Sequence, residues 1–203
     1  MAGIAVLVLL LAVGAAYIVD ILGKNSRTAP PDLTDHSTVA IAVGGKELTI
    51  PASWFRYGEQ LRGGFVNEID LHVVLGAAGA VIPVDVTLLP RSRVRPSNIL
   101  LDGVYLHQFG DDTLSGVPGL VGKPLHDGDG FSGESVWYDA LSADPFVAKC
   151  MAPVEEGEPS RCLRTVFLPS SIAAVYAFDS TALQSWRQFD GEMQKWLGQI
   201  GAW

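Results

Sequence analysis

Ile69-Asp-Leu-His-Val-Val-Leu75 and Val84-Asp-Val-Thr-Leu88 carry apolar side chains at alternate positions. Successive side chains of an extended backbone point to opposite faces, so Ile69, Leu71, Val73 and Leu75 share one face, and Asp70 and His72 take the other. Each run is predicted to be a β-strand with one buried face.

Upstream, Val39, Ile41 and Val43 alternate with small residues. Gly44-Gly45 supplies a turn and Leu48 and Ile50 resume the pattern, which predicts a β-hairpin ended by Pro51. Downstream, Val104 to Phe109 reads as a mixed apolar strand, and glycines between Gly110 and Gly133 mark turns. Val136 to Leu141, Phe146 to Met151, Cys162 to Leu168 and Ile172 to Phe178 then read as a meander of short strands. The period changes in the tail: Leu183, Trp186, Phe189 or Asp190, Met193, Trp196, Leu197 and Ile200 mostly follow three- and four-residue steps. Thr181 and Gln184 have the spacing of a capping box, so a C-terminal amphipathic helix is predicted, its tryptophans closing over one face of the sheet.

The chain has 203 residues, 48% of them hydrophobic and 18% charged. Such a length supports one sizeable core, and the composition excludes disorder, collagen-like repetition and a polytopic membrane protein. From Ala2 to Val19 no residue is charged, and a helix of that length spans roughly 27 Å, close to the hydrocarbon thickness of a bilayer. The apolar run exceeds the core of a secretory signal, and the basic residues that open such signals are missing, so a retained single-pass transmembrane helix is favoured over a cleaved leader. Residues 1–23 are read as the anchor, with residues 2–22 in the lipid bilayer. Residues 24–36, containing Pro30 and Pro31, are read as a tether, and residues 37–203 as one α+β domain of mainly antiparallel sheet. Lys24 and Arg27 follow the anchor and favour a cytoplasmic domain, but Asp20, Asp32 and Asp35 dilute them, and long domains translocate largely regardless of charge. Residues 24–203 carry 14 basic and 21 acidic groups, a formal charge of −7 that argues against a nucleic-acid partner.

Cys150 and Cys162 flank a polar loop with two prolines and a glycine, between two alternating apolar runs. They are placed to meet at the base of a hairpin, and a disulfide there requires an oxidising compartment. Free thiols in a cytosolic protein are the alternative. A metal site is disfavoured, because two cysteines without a nearby histidine give too few ligands.

Arg91, Arg93 and Arg95 recur at alternate positions and in extended chain would share one side, a possible contact for an anionic partner; a solvated loop is the ordinary alternative. In His126-Asp-Gly-Asp-Gly-Phe-Ser-Gly-Glu-Ser135, Gly128, Gly130 and Gly133 fit a dinucleotide-binding spacing, but Pro124 precedes them and a strand follows, so no cofactor is expected. An EF-hand loop from Asp127 fails at Phe131 and Tyr138. A hydrolase using Ser132 or Ser135 with His126, and Asp129 fixing the histidine, is an enzymatic alternative, although the segment lacks the strand-to-helix elbow of serine hydrolases. His36, His72 and His107 have no ligand spacing; His72 and His107 are expected on strand faces.

Val39 to Pro51, then Phe55-Arg56, Arg62-Gly-Gly64 and Ile69-Asp-Leu71, with Gly119-Leu120, Phe146 to Cys150, Cys162-Leu-Arg164, Tyr176 and Trp186, resemble a pattern in an uncharacterised family of bacterial envelope proteins with an N-terminal membrane anchor. The chain departs from it at Ala77 to Ala80, where a proline and an aromatic are expected. The resemblance implies an anchored envelope protein and carries no catalytic residue. The reading that follows is a non-enzymatic interaction or accessory module in the bacterial inner membrane, its domain in the periplasm, docking on another membrane complex. A lipid or small-ligand binding domain, with an apolar pocket beside Trp186, is the remaining alternative.

Overall fold

The structure, a computed structural model, describes residues 32–77, 79–128, 131–153, 155 and 157–203. The expected anchor, residues 1–23, and most of the tether lie outside the described residues. Among the described residues no helix is long and apolar enough to cross a membrane.

The fold is α+β. β1 (Thr38–Val43) and β2 (Lys46–Pro51) form the expected hairpin, and β3 (Gly64–Val66) joins β1 in parallel. β4 (Ile69–Ala77) and β5 (Ala80–Pro90) open a seven-stranded sheet with β6 (Val121–Pro124), β7 (Glu134–Tyr138), β8 (Val147–Met151), β9 (Arg161–Phe167) and β10 (Ile172–Asp179). Its order is β4-β5-β10-β9-β8-β7-β6 with antiparallel neighbours throughout, so β7 to β10 are the expected meander, β6 adds a strand within the stretch read as turns, and β5 closes onto the last strand. Among the described residues two α-helices complete the fold, α1 (Ser97–Gly103) and α2 (Trp186–Gln199).

The period-two runs bury the face they predict. Leu71 pairs with Val86 and Val86 with Tyr176, and all three are buried among Ile69, Val84 and Phe178. The β1–β2 hairpin, through Ile41, Val43, Leu48 and Ile50, and α2, through Phe189, Met193 and Leu197, complete the same core. Trp196 stacks on Trp54 at 4.3 Å between ring centroids, and Trp186 tilts against Phe146, so both helix tryptophans close over this face. The opposite face divides. At the β7–β8 end, Val136 and Val147 pack with Leu101 and Tyr105 around α1. At the β4–β5 end it is polar: Asp85 accepts from His72 Nδ1 at 2.8 Å and from Arg161 Nη2 at 2.5 Å, and Arg161 also reaches Asp179.

Three local expectations are corrected. Val104 to Phe109 is not a strand: α1 runs to Gly103, and Tyr105–His107 is a 3-10 turn, which also removes His107 from any strand face. Tyr105 and Leu101 bury against Val147 from one short helical layer, a packing that consecutive apolar residues serve as well as an alternating strand does. Thr181 and Gln184 form no capping box. Ser180–Ser185 is a 3-10 segment, α2 starts at Trp186, and the Gln184 amide donates instead to Gly116 O at 2.8 Å. Finally, Arg91–Arg93 is a 3-10 turn, so the arginines do not follow the extended alternation that would align them.

Candidate functional site

β8 and β9 pair only from Lys149↔Leu163 to Met151↔Arg161. Beyond that point the strands separate, and the next two ladder groups are diverted. The Thr165 N–H donates to Ser97 Oγ at 2.8 Å, at the start of α1, and the Val147 carbonyl accepts from Arg164 Nη1 at 3.2 Å. Continued past its last pair, that register would set Pro145 against Phe167, and proline has no N–H to contribute to a ladder. The pairing thus ends where Ser97 and Arg164 take the ladder groups of Thr165 and Val147, and Pro145 lies beyond that point.

The gap is a cleft of about 440 Å³. Its apolar walls are Pro96 and Ile99 from the α1 side, Pro145, and Val166 and Phe167 from β9, with Trp203 opposite. Ile99 is 53% exposed and Trp203 45%, so the rim presents apolar surface to solvent. Trp203 is positioned by the end of α2. Gly201 adopts φ +75°, Ala202 N–H bonds back to Leu197 O, and Gly201 N–H bonds to Gly198 O. This is a Schellman turn, which glycine enters without the Cβ strain other residues meet. It buries Ala202 in the core and sets Trp203 over the cleft.

The floor is polar. Arg164 is 7% exposed and is held by Asp190 of α2 through Nε to Oδ1 at 2.9 Å and Nη2 to Oδ2 at 2.6 Å, with its guanidinium 4.5 Å from the Phe146 ring centroid. Tyr176, 1% exposed, lies beside them. Burial, reinforced by the Asp190 carboxylate and partly offset by Arg164, pushes its hydroxyl far above the usual tyrosine range, so the group stays protonated. No hydrogen bond among the described residues engages that hydroxyl. The arrangement offers shape, apolar contact and hydrogen-bond donors, with its main charge already neutralised.

Of the residues singled out by sequence, the structure joins Cys150 and Cys162 in a disulfide across β8 and β9 with Cα atoms 3.9 Å apart. Arg91 reaches the cleft indirectly, its guanidinium 4.9 Å from the centroid of the Phe167 ring. Arg93 turns away to Asn67 O and Glu68, and Arg95 is exposed, so the three do not form one anion contact. His126, Glu134 and Ser135 border a separate cavity of about 410 Å³. No hydrogen bond among the described residues joins His126 to Ser132 or Ser135, and Asp129 lies outside the described residues. Asp127 instead accepts from the Gly133 N–H at 3.4 Å, within the turn. The pocket expected beside Trp186 is displaced. Trp186 packs on Phe146 and donates to Pro118 O at 3.1 Å, and the apolar cleft described above sits at Trp203. Sequence reading missed Arg164, Asp190 and Tyr176 as a set; a lone arginine among alternating apolar residues of a strand was the available signal.

No protein-family model matches this chain, and neither a curated protein nor a solved structure matches it.

Proposed function

We propose that this protein is a membrane-tethered interaction module of the bacterial envelope: residues 2–22 anchor it in the inner membrane, the α+β domain stands in the periplasm, and it docks on another membrane complex. The observation that carries the binding role is the cleft at the parted end of β9, where exposed apolar walls surround an Arg164–Asp190 pair whose charges are spent on each other. A surface of this kind is suited to holding a partner through buried apolar contact and a few placed polar groups. The disulfide supports the compartment, since such bonds persist where thiols are oxidised.

The test is a photo-crosslinking amino acid in place of Ile99, irradiated in intact cells, combined with protease added to spheroplasts. The expected result is an adduct with an integral membrane protein and a domain cut by external protease. A protected domain, or a fluorophosphonate probe that labels Ser132 or Ser135 in the natively prepared protein, overturns the reading.

A further inference from the structure

The free end of β9 has an orientation that says what the cleft takes. Leu168 N–H donates to Ile172 O and Ser180 N–H to Ser160 O, so the even-numbered positions of this hairpin direct their backbone groups between β9 and β10. In an antiparallel ladder the alternate positions point the other way. Phe167 therefore aims both its N–H and its C=O at the space left by β8, and neither has a partner among the described bonds outside the strand ladders. Pro145, which lines the same cleft, has no N–H to give. Beside this open ladder position stand the Tyr176 hydroxyl, nine-tenths buried and without a described partner, and Arg164, which spends one N–H on each Asp190 oxygen and one on Val147 O and retains others.

We infer that the cleft binds an extended peptide segment of a partner protein as an added strand on β9, with one apolar side chain of the peptide between Ile99 and Trp203. This deepens the interaction-module reading and rests on it. The choice of a peptide follows from charge and spacing. Asp190 neutralises Arg164 and Asp144 stands on the same rim, so a free anion gains little here. Among the described residues, the groups without a partner at this edge are the N–H and C=O of Phe167, with further donors on Arg164 and Tyr176 lining the cleft. A peptide backbone supplies acceptors and donors at that repeat, and its alternate side chains reach a pocket while its main chain pairs with the edge.

The test uses the full chain in lipid nanodiscs and a library of end-capped octapeptides with apolar residues at alternate positions, read by fluorescence anisotropy. The expected result is saturable binding that Ile99→Glu weakens about tenfold or more, and that N-methylation of the single peptide amide facing Phe167 weakens by a similar factor. Ile99 is exposed, so that substitution leaves the fold intact. Binding insensitive to N-methylation at every position overturns the added strand, as does a library without a binder when decanoate or anionic vesicles occupy the cleft. If no peptide binds yet the Ile99 adduct to a membrane protein forms in cells, the strand inference falls and the module reading stands. If peptides bind with the expected sensitivities and no adduct forms in cells, the cleft chemistry stands and the envelope role falls.

Discussion

Arg164 on β9 and Asp190 on α2 meet in a two-bond ion pair, Nε to Oδ1 at 2.9 Å and Nη2 to Oδ2 at 2.6 Å, that ties the helix to the parted end of the sheet. The two partners are not equally sheltered: the Arg164 side chain is 9% exposed and that of Asp190 46%. Losing Asp190 strands a largely buried cation whose access to water is limited to the cleft floor. Asp190→Ala is expected to destabilise the domain by about 3 kcal/mol, at the lower end for a broken buried pair because the carboxylate is half in solvent. Adding Arg164→Met restores at least half of that loss, since an apolar side chain of similar length no longer needs a partner. Urea unfolding of both variants measures it, and a loss under about 0.5 kcal/mol in Asp190→Ala would show that the pair is ornamental.

The Cys150–Cys162 bond closes a short loop between adjacent strands, with a sequence separation of 12. In the chain-entropy account such a loop contributes about 3 kcal/mol, mainly by restricting the unfolded chain. Reduction is expected to lower the unfolding midpoint by roughly 6–12 °C for a domain of this size. The fold persists when reduced, because both sulfurs sit in a core that β4, β5 and α2 build independently. Calorimetry with and without a phosphine reductant decides the matter, and an unchanged midpoint is the result that contradicts it.

How far the sequence discloses this molecule depends on the range of the interaction. The alternation of Ile69 to Leu75, the Gly44-Gly45 turn and the three- and four-residue steps from Trp186 to Ile200 are local signals, and each element forms where those signals lie. α1 is hidden because its seven residues complete barely two turns, and the apolar run after it mimics a strand. The start of α2 is displaced by a tertiary bond from Gln184 to Gly116, which a spacing rule does not contain. The cleft is the least legible feature. Pro96, Pro145, Arg164, Asp190 and Trp203 come together only because the meander, α1 and α2 are all in place. Pro145 and Phe167 illustrate the point: the missing N–H is plain from the sequence, yet it bears on the cleft only once the fold brings both residues to its lining.

Burial holds the Tyr176 hydroxyl well above its ordinary pKa and raises that of Tyr105, where Glu134 adds to the effect. The unfolded chain releases these protons near pH 10. Above that value the unfolded state binds fewer protons than the folded state, so stability is complete below about pH 10 and declines as pH climbs toward the folded values. Alkaline unfolding is therefore expected to begin just above pH 10, with part of the phenolate absorbance appearing only as the fold is lost. Tyr176→Phe shifts this limit upward, since it has no proton to release. Smooth phenolate titration of the native protein, with circular dichroism unchanged throughout, runs against this account.

Gly201 separates the stability of α2 from the shape of the cleft. Its φ of +75° closes the Schellman turn, and an added Cβ would meet nothing within 4 Å, so the only penalty of substitution is backbone strain. Gly201→Ala is expected to cost about 1 kcal/mol. The helix is also secured by Phe189, Met193 and Leu197, which are buried in the main core, so it survives the change. The chain relieves its strain by shifting Ala202 and Trp203, and Trp203 is one wall of the cleft. The substitution should leave helix content unchanged by circular dichroism while increasing the access of iodide to the tryptophans in fluorescence quenching. Trp203→Phe in the same background isolates the residue responsible, because any rise in quenching that originates at Trp203 disappears with it. Equal quenching in Gly201→Ala and the unaltered protein would mean that the wall does not depend on this turn.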